Sequence, residues 1–216
     1  MNPWLSIWTK PRATISHIVA QNPNRSIWIL AWIYGFCSLM NMFQSLEMGT
    51  KLNTAAILLL SIVVAPLWGW VSFTVWSWFV SVVGKWFKGQ GSFQAVRASY
   101  AWSQVPIILN IPLWLLMVIL FGHQLFLNFP NAHLLPDTLV TLMFVILVAK
   151  VVLAVWSLVI YLNALAEVQS FSVLKAILNL IVAGIIMGVI FFVLWSLLAY
   201  AAGAAATTAF MLWKPF

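Results

Sequence analysis

The sequence predicts an all-α polytopic membrane protein: a bundle of five transmembrane helices with a short N-terminal interfacial amphipathic helix and two cytoplasmic hairpins. Three observations carry this expectation. Of 216 residues, 64% are hydrophobic and 6% charged, whereas a soluble domain carries about 25% charged residues. A globule of this size cannot hide so much apolar surface behind so few charges. Five stretches are long and apolar enough to cross a hydrocarbon core of roughly 30 Å, which needs about 20 residues per helix. Basic residues flank these stretches unevenly, as topology signals do. Soluble enzymes, nucleic-acid binders and disordered tails are excluded. The net charge of +7 comes from Lys and Arg scattered in ones and twos beside apolar runs, so no nucleic-acid partner is expected. The single Cys37 permits no internal disulfide. Barrel strands would alternate apolar and polar residues, and these runs are apolar on both sides.

Along the chain, residues 1–25 form a cytoplasmic segment whose Trp4, Trp8, Ile15, Ile18 and Val19 follow one helical face. Asn2-Pro3 and Thr9-Lys10-Pro11 read as helix starts, since Pro is tolerated in a first turn, and Asn22-Pro23 reads as a stop. With Lys10 and Arg12 beside two Trp, this piece suits an anionic leaflet or the inner face of the bundle equally. The five-span domain covers 26–203, with spans at about 27–46, 55–83, 105–121, 139–162 and 177–202, followed by a short extracytoplasmic tail at 204–216. The second span contains Pro66 and exceeds one straight crossing, so tilt or a kink is expected there. No secretory signal is visible, because the first apolar run begins only after Arg25 and is too long for a signal h-region. If the N-terminus is cytoplasmic, the inner connections hold Lys10, Arg12, Arg25, Lys85, Lys88, Arg97 and Lys175, against Lys51 and Lys214 outside. That bias predicts an inside N-terminus and an outside C-terminus. Gly122 and His123 then open an outer loop reaching His133 and Asp137.

Two cytoplasmic hairpins follow from this topology. The first holds Gly84, Lys85, Lys88, Gly89, Gly91 and Ser92, with the glycines marking a tight turn and Ser92 capping a helix through Gln104. A phosphate-cradling loop would need a Gly-Lys-Ser/Thr ending and a preceding strand, and neither is present. The second hairpin runs from Glu167 to Lys175.

An ionisable or amide side chain in hydrocarbon is costly and therefore a candidate for function. Lys150 lies about 12 residues from either end of its span, roughly 18 Å at helical rise, too far for its stem to snorkel. Its expected partners are Asn41, Asn110, a hydroxyl, or a carbonyl freed by Pro66 or Pro112. Tyr34, Ser38, Asn41 and Ser45 form a polar row on the first span. Ser99, Ser103, Pro106 and Asn110 form one on the third, and Lys150, Ser157 and Tyr161 one on the fourth. The rows serve either as interhelical hydrogen-bond glue or as the walls of a hydrated cavity. Gly184 and Gly188 form a G-x-x-x-G pair suited to internal packing or to a homo-oligomer. Trp28, Trp68, Trp86, Trp102, Trp114 and Trp213 read as an aromatic belt. No catalytic motif is found, the histidines His17, His123 and His133 lack metal-ligand spacing, and no cofactor is expected.

Three blocks resemble the Yip (Ypt-interacting-protein) family: Ile7-Trp8-Thr9-Lys10-Pro11-Arg12-Ala13-Thr14-Ile15, then Gly84-Lys85-Trp86 through Gly91-Ser92-Phe93 to Tyr100-Ala101-Trp102-Ser103-Gln104-Val105-Pro106, then Ala166-Glu167-Val168-Gln169-Ser170-Phe171-Ser172 with Lys175-Ala176. The resemblance is to a bacterial-type member. It implies five spans, a cytoplasmic N-terminus and residence in the bacterial cytoplasmic membrane. Eukaryotic relatives act in vesicle traffic and bind Rab-type small GTPases through a long N-terminal region with an Asp-Leu-Tyr-Gly-Pro motif. Here about 25 residues precede the first span and that motif is missing, so the resemblance carries the fold further than the activity. The expectation is a non-enzymatic scaffold, adaptor or membrane-organising protein. Its interaction face would be Trp8, Pro11, Arg12, Lys85, Lys88, Arg97 and Glu167, contacting lipid and a protein partner. The alternative is a small-molecule, ion or lipid transporter using Lys150, Asn41, Asn110 and Ser157.

Overall fold

The computed structural model describes residues 2–127 and 136–212, with 202–212 as helix backbone only. Expectations placed on His133, Trp213 and Lys214 lie outside the described residues. Among these residues the chain is helical without a strand: α1 (Pro3–Ser6), α2 (Pro11–Gln21), α3 (Ile27–Ser45), α4 (Thr54–Trp86), α5 (Phe93–Ser103), α6 (Asn110–Phe121), α7 (Asp137–Val168) and α8 (Val173–Leu212). Five stretches are long and apolar enough to cross a membrane: Ile27–Ser45, Thr54–Trp86, Phe93–Phe126, Asp137–Val168 and Val173–Ala201. The protein is an integral multi-pass membrane protein.

The helix starts follow local chemistry. Pro3 and Pro11 each occupy a first turn, and Asn2 Oδ1 accepts from the Trp4 amide at 3.1 Å. Asn53 Oδ1 accepts from Ala56 N (2.8 Å), and Ser92 Oγ from Ala95 N (3.2 Å). The third crossing is not the single run expected at 105–121. It begins as α5, tightens into a 3₁₀ turn at Val105–Leu109 around Pro106, and resumes as α6. Helix α8 stays helical to Leu212, where a short tail was expected from 204.

Helices α3 and α4 form the tightest pair. A Cβ on Gly35 would strike the Ala65 carbonyl, and one on Gly69 would strike the Ala31 carbonyl. Ala31 and Gly35 on one helix thus interlock with Ala65 and Gly69 on the other, all four buried. Two indoles repeat the reciprocity: Trp32 Nε1 donates to Ile62 O (3.0 Å), and Trp68 Nε1 donates to Ser38 Oγ (3.1 Å). The first bond has a definite cause. Pro66 has no N–H, so the carbonyl four residues earlier loses its helical donor, and that carbonyl belongs to Ile62. The helix runs unbroken through Pro66 with the freed acceptor taken by Trp32.

Helix α2 lies on protein. Ile7, Ile15 and Ile18 are fully buried in one cluster with Leu30, Phe73, Trp102, Ile160 and Ala164, and Trp8 and Val19 pack against it. Of the two surfaces its apolar face suited, the bundle receives it. Arg12 and His17 remain exposed. Helix α5 and the end of α7 pack on α2, and the start of α3 shares their cluster; the hairpins bring the end of α4 and the start of α8 to the same end of the bundle, and we call this the N-terminal face.

Candidate functional site

The two hairpins of the N-terminal face are built alike. Helix α4 ends in a Schellman cap, with Gly89 N bonding Gly84 O (2.8 Å) and Lys88 N bonding Lys85 O (3.0 Å). Helix α7 ends in the same motif, with Phe171 N bonding Ala166 O (2.7 Å) and Ser170 N bonding Glu167 O (3.2 Å). The left-handed residue of each cap is not a glycine: Lys88 has φ 63° and Ser170 has φ 56°. Gly89 and Gly91, expected to serve the turn through their conformational freedom, have negative φ.

Those glycines serve close approach to Gln169 instead. Its Oε1 accepts from Gly91 N (3.1 Å), and its main-chain carbonyl accepts from Gln90 N (3.3 Å). A Cβ on Gly84 would strike Gln169 Nε2, and one on Gly89 would strike Oε1. One on Gly91 would sit 2.8 Å from Val168 O and 3.1 Å from Oε1. Gln169 is buried and holds the first hairpin to the second by two hydrogen bonds, each worth roughly 1 kcal/mol net. Sequence reasoning gave Gln169 no role. The available signal was three glycines spaced through one hairpin opposite a lone amide in the other.

Beside this clasp lies a groove of about 460 Å³, lined by Ser16, Val19 and Ala20 of α2, Gln90 to Ser92 of the first hairpin, Ala95 of α5, and Glu167 and Val168 of α7. Among the described residues, Glu167 is the one ionisable group in its wall. Of the other expected interaction residues, Trp8 and Pro11 are half-buried. Arg12 Nε donates to Asn163 Oδ1 (3.3 Å), and Arg97 Nη2 donates to Asn24 Oδ1 (2.8 Å). Lys85 and Lys88 are exposed at the end of α4, where a cation complements the helix dipole.

The intramembrane candidates are only partly brought together. Lys150 is half-buried; its Nζ donates to Asn41 Oδ1 (3.2 Å) and lies 3.8 Å from the Trp114 ring centroid. Asn110 Oδ1 and Ser157 Oγ are buried without a hydrogen-bond partner among the described residues, and neither bonds Lys150. The Asn41 contact also places Lys150 along the bundle. Counting along α7 puts it mid-span, but α7 has 32 residues, about 48 Å, well beyond a ~30 Å core. Its partner Asn41 stands four residues before the end of α3 at Ser45, only about 6 Å along that helix. The ammonium therefore lies toward the end of the bundle away from the N-terminal face. Beyond the Lys150–Asn41 bond the polar rows do not meet: Ser99 and Ser103 donate to their own helix, at Val96 O and Tyr100 O, and Tyr161 accepts from Trp76 Nε1 (3.1 Å).

The sequence pattern of the Yip1 domain matches residues 5–196. The chain belongs to the Yip1 domain family. No curated protein and no solved structure matches the chain. The match takes in all three blocks that carried the resemblance, and within this Yip1 domain those blocks are spatial neighbours. The first docks α2 on the bundle, and the second and third form the two sides of the Gln169 clasp. Two Trp assigned to an aromatic belt are core residues of the Yip1 domain: Trp102 and Trp114 are fully buried. Trp102 sits under Trp4 (5.1 Å between centroids), and Trp114 sits under Lys150. Trp28 and Trp86 are exposed as a belt requires. The Gly184–Gly188 pair makes no close helix contact among the described residues: a Cβ at Gly184 would meet only Trp76, at 3.9 Å, and one at Gly188 nothing within 4 Å.

Proposed function

We propose that this Yip1-domain protein is a non-enzymatic scaffold or adaptor of a bacterial cytoplasmic membrane, with the N-terminal face in the cytoplasm and a protein partner seated in the groove beside the Gln169 clasp. The single observation behind this reading is that three separated sequence blocks fold into one layer with a half-polar groove of about 460 Å³. A lone carboxylate in that groove has no second acid or base beside it for proton transfer, which favours binding over catalysis. The excess of Lys and Arg at this face supports its cytoplasmic placement.

Deleting α2 would be a poor test, because Ile15 and Ile18 belong to the core. A photocrosslinking amino acid at Ser16 or Ala20, both exposed, probes the groove without disturbing it. The expected result is a discrete protein adduct that weakens at least about tenfold with Glu167→Ala, the ratio that about 1.4 kcal/mol of binding gives. Adducts with lipid alone, or protein adducts indifferent to Glu167, would sink the reading. Transport through the Lys150 region is the weaker reading, because Lys150 is already engaged by Asn41 and Trp114 and the other polar rows bond within the bundle.

A further inference from the structure

Two grooves meet on the outside of the α3–α4 pair. One, of about 310 Å³, is lined by Trp28, Ile29, Trp32, Ile62 and Pro66. The other, of about 340 Å³, shares Trp32 and Ile62 and continues to Ile111 and Leu115 of α6. Both lie in the size range of small-ligand sites, ~300–1,000 Å³. We propose that this continuous groove binds one acyl chain of a glycerophospholipid, with the phosphate at Arg25 beside its mouth. The inference rests on these residues and stands apart from the adaptor reading.

The walls are apolar for a structural reason. The one main-chain acceptor that Pro66 frees in them, Ile62 O, is bonded by Trp32 Nε1 (3.0 Å). The same bond fixes the Trp32 indole in the wall that the two compartments share. From Trp28 to Phe36 the groove follows eight residues of α3, about 12 Å at helical rise. One leaflet contributes roughly 15 Å to a ~30 Å core, so the groove takes most of a single tail. A helix, ~10 Å across with side chains, is too broad for compartments of 310 and 340 Å³.

The mouth supplies the other end of the ligand. Trp28, in the first turn of α3, is exposed and stacks on Trp70 (6.0 Å between centroids, 8° between planes), and Trp marks headgroup level in membrane proteins. Arg25 is exposed three residues before Trp28. Arg97 is held to the adjacent Asn24 by its 2.8 Å bond. Arg97 is thus engaged within the bundle, and Arg25 is the cation that precedes the mouth in the chain; charge-assisted bonds from Arg suit a phosphate. The second half of α8 is the contrast: every residue from Gly188 to Ala201 is exposed.

The test reconstitutes the full chain in vesicles of phosphatidylglycerol and phosphatidylethanolamine containing a trace of phospholipid with a mid-chain diazirine. After illumination, labelled peptides are mapped by mass spectrometry. Labelling at Trp32, Ile62 and Leu115 is expected to exceed that at Phe192 and Trp195 of α8 by about tenfold, equivalent to about 1.4 kcal/mol of preference. Ile29→Trp and Leu115→Trp, at half-exposed edge positions, should each fill the groove and abolish the excess. Arg25→Gln should reduce it while leaving the α8 signal unchanged. Equal labelling of groove and α8 would mean annular lipid only and overturn the site. So would adducts to a second protein chain, and an excess indifferent to Arg25→Gln would overturn the phosphate assignment.

Discussion

Small residues spaced four apart occur on α3, α4 and α8, yet they do different things. On α3 and α4, Ala31 with Gly35 and Ala65 with Gly69 face each other so closely that either glycine would strike a carbonyl if it gained a Cβ. On α8, Gly184 meets only a Trp76 ring edge and Gly188 meets nothing within 4 Å among the described residues. In hydrocarbon there is no hydrophobic drive to bring helices together, so a small residue helps only if the opposing helix is equally small at the same height. α3 and α4 satisfy that in both directions and add two reciprocal indole bonds. Opposite Gly184, α4 presents the bulk of Trp76. Spacing alone does not mark an interface; complementarity does.

The largest expected effect tests that contrast directly. Gly69→Val or Gly35→Val forces a side chain into a backbone carbonyl and should destabilise the protein by about 3 kcal/mol or more. Gly188→Val, with open space around it, should stay within about 0.5 kcal/mol. Unfolding of the three variants in one detergent measures both. Similar losses at Gly69 and Gly188 would show that α8 is packed as tightly as α3 and α4, and the comparison would fail.

A second effect asks whether the hairpin glycines work by the same principle. Gln169→Leu keeps most of the side-chain volume but leaves the Gly91 amide without the acceptor it has at 3.1 Å. A cost of roughly 1–3 kcal/mol is expected for a donor so stranded. Amide hydrogen exchange at Gly91 should quicken selectively, while α3 and α4 keep their protection. Uniform acceleration throughout the chain would mean that Gln169 supports global stability rather than the clasp.

The features legible in the sequence were those encoded locally. Pro3 and Pro11 open helices, and Ser92 caps α5, because first-turn proline and side-chain caps depend on residues a few positions apart. The five apolar stretches were legible for the same reason. The Lys150–Asn41 bond came within reach because few polar groups are available to an ammonium in an apolar span. Features set by a distant partner were hidden. Ala31 and Ala65 carry no mark of the glycines they face. Trp114 looks like any interfacial indole until α7 brings Lys150 over it. Distances from the ends of α7 say little about the depth of Lys150, because α7 is longer than the bilayer core.

The smallest effect separates the two uses of glycine. In the two hairpins the glycines stand where Gln169 approaches, whereas the left-handed positions Lys88 and Ser170 carry side chains. Placing glycine there removes strain from a conformation that costs an L-residue roughly 1 kcal/mol, partly offset by the greater freedom glycine has when unfolded. Lys88→Gly and Ser170→Gly should each raise stability by up to about 1 kcal/mol. The double variant is the informative one. Caps that behave independently give gains that add within about 0.5 kcal/mol. A clasp that closes as one unit through Gln169 couples them, and the double variant then departs from the sum. Thermal unfolding of the two single variants and the double variant distinguishes these outcomes. A loss of stability at either site would show that the side chain of Lys88 or Ser170 holds its hairpin by a contact stronger than the strain it carries.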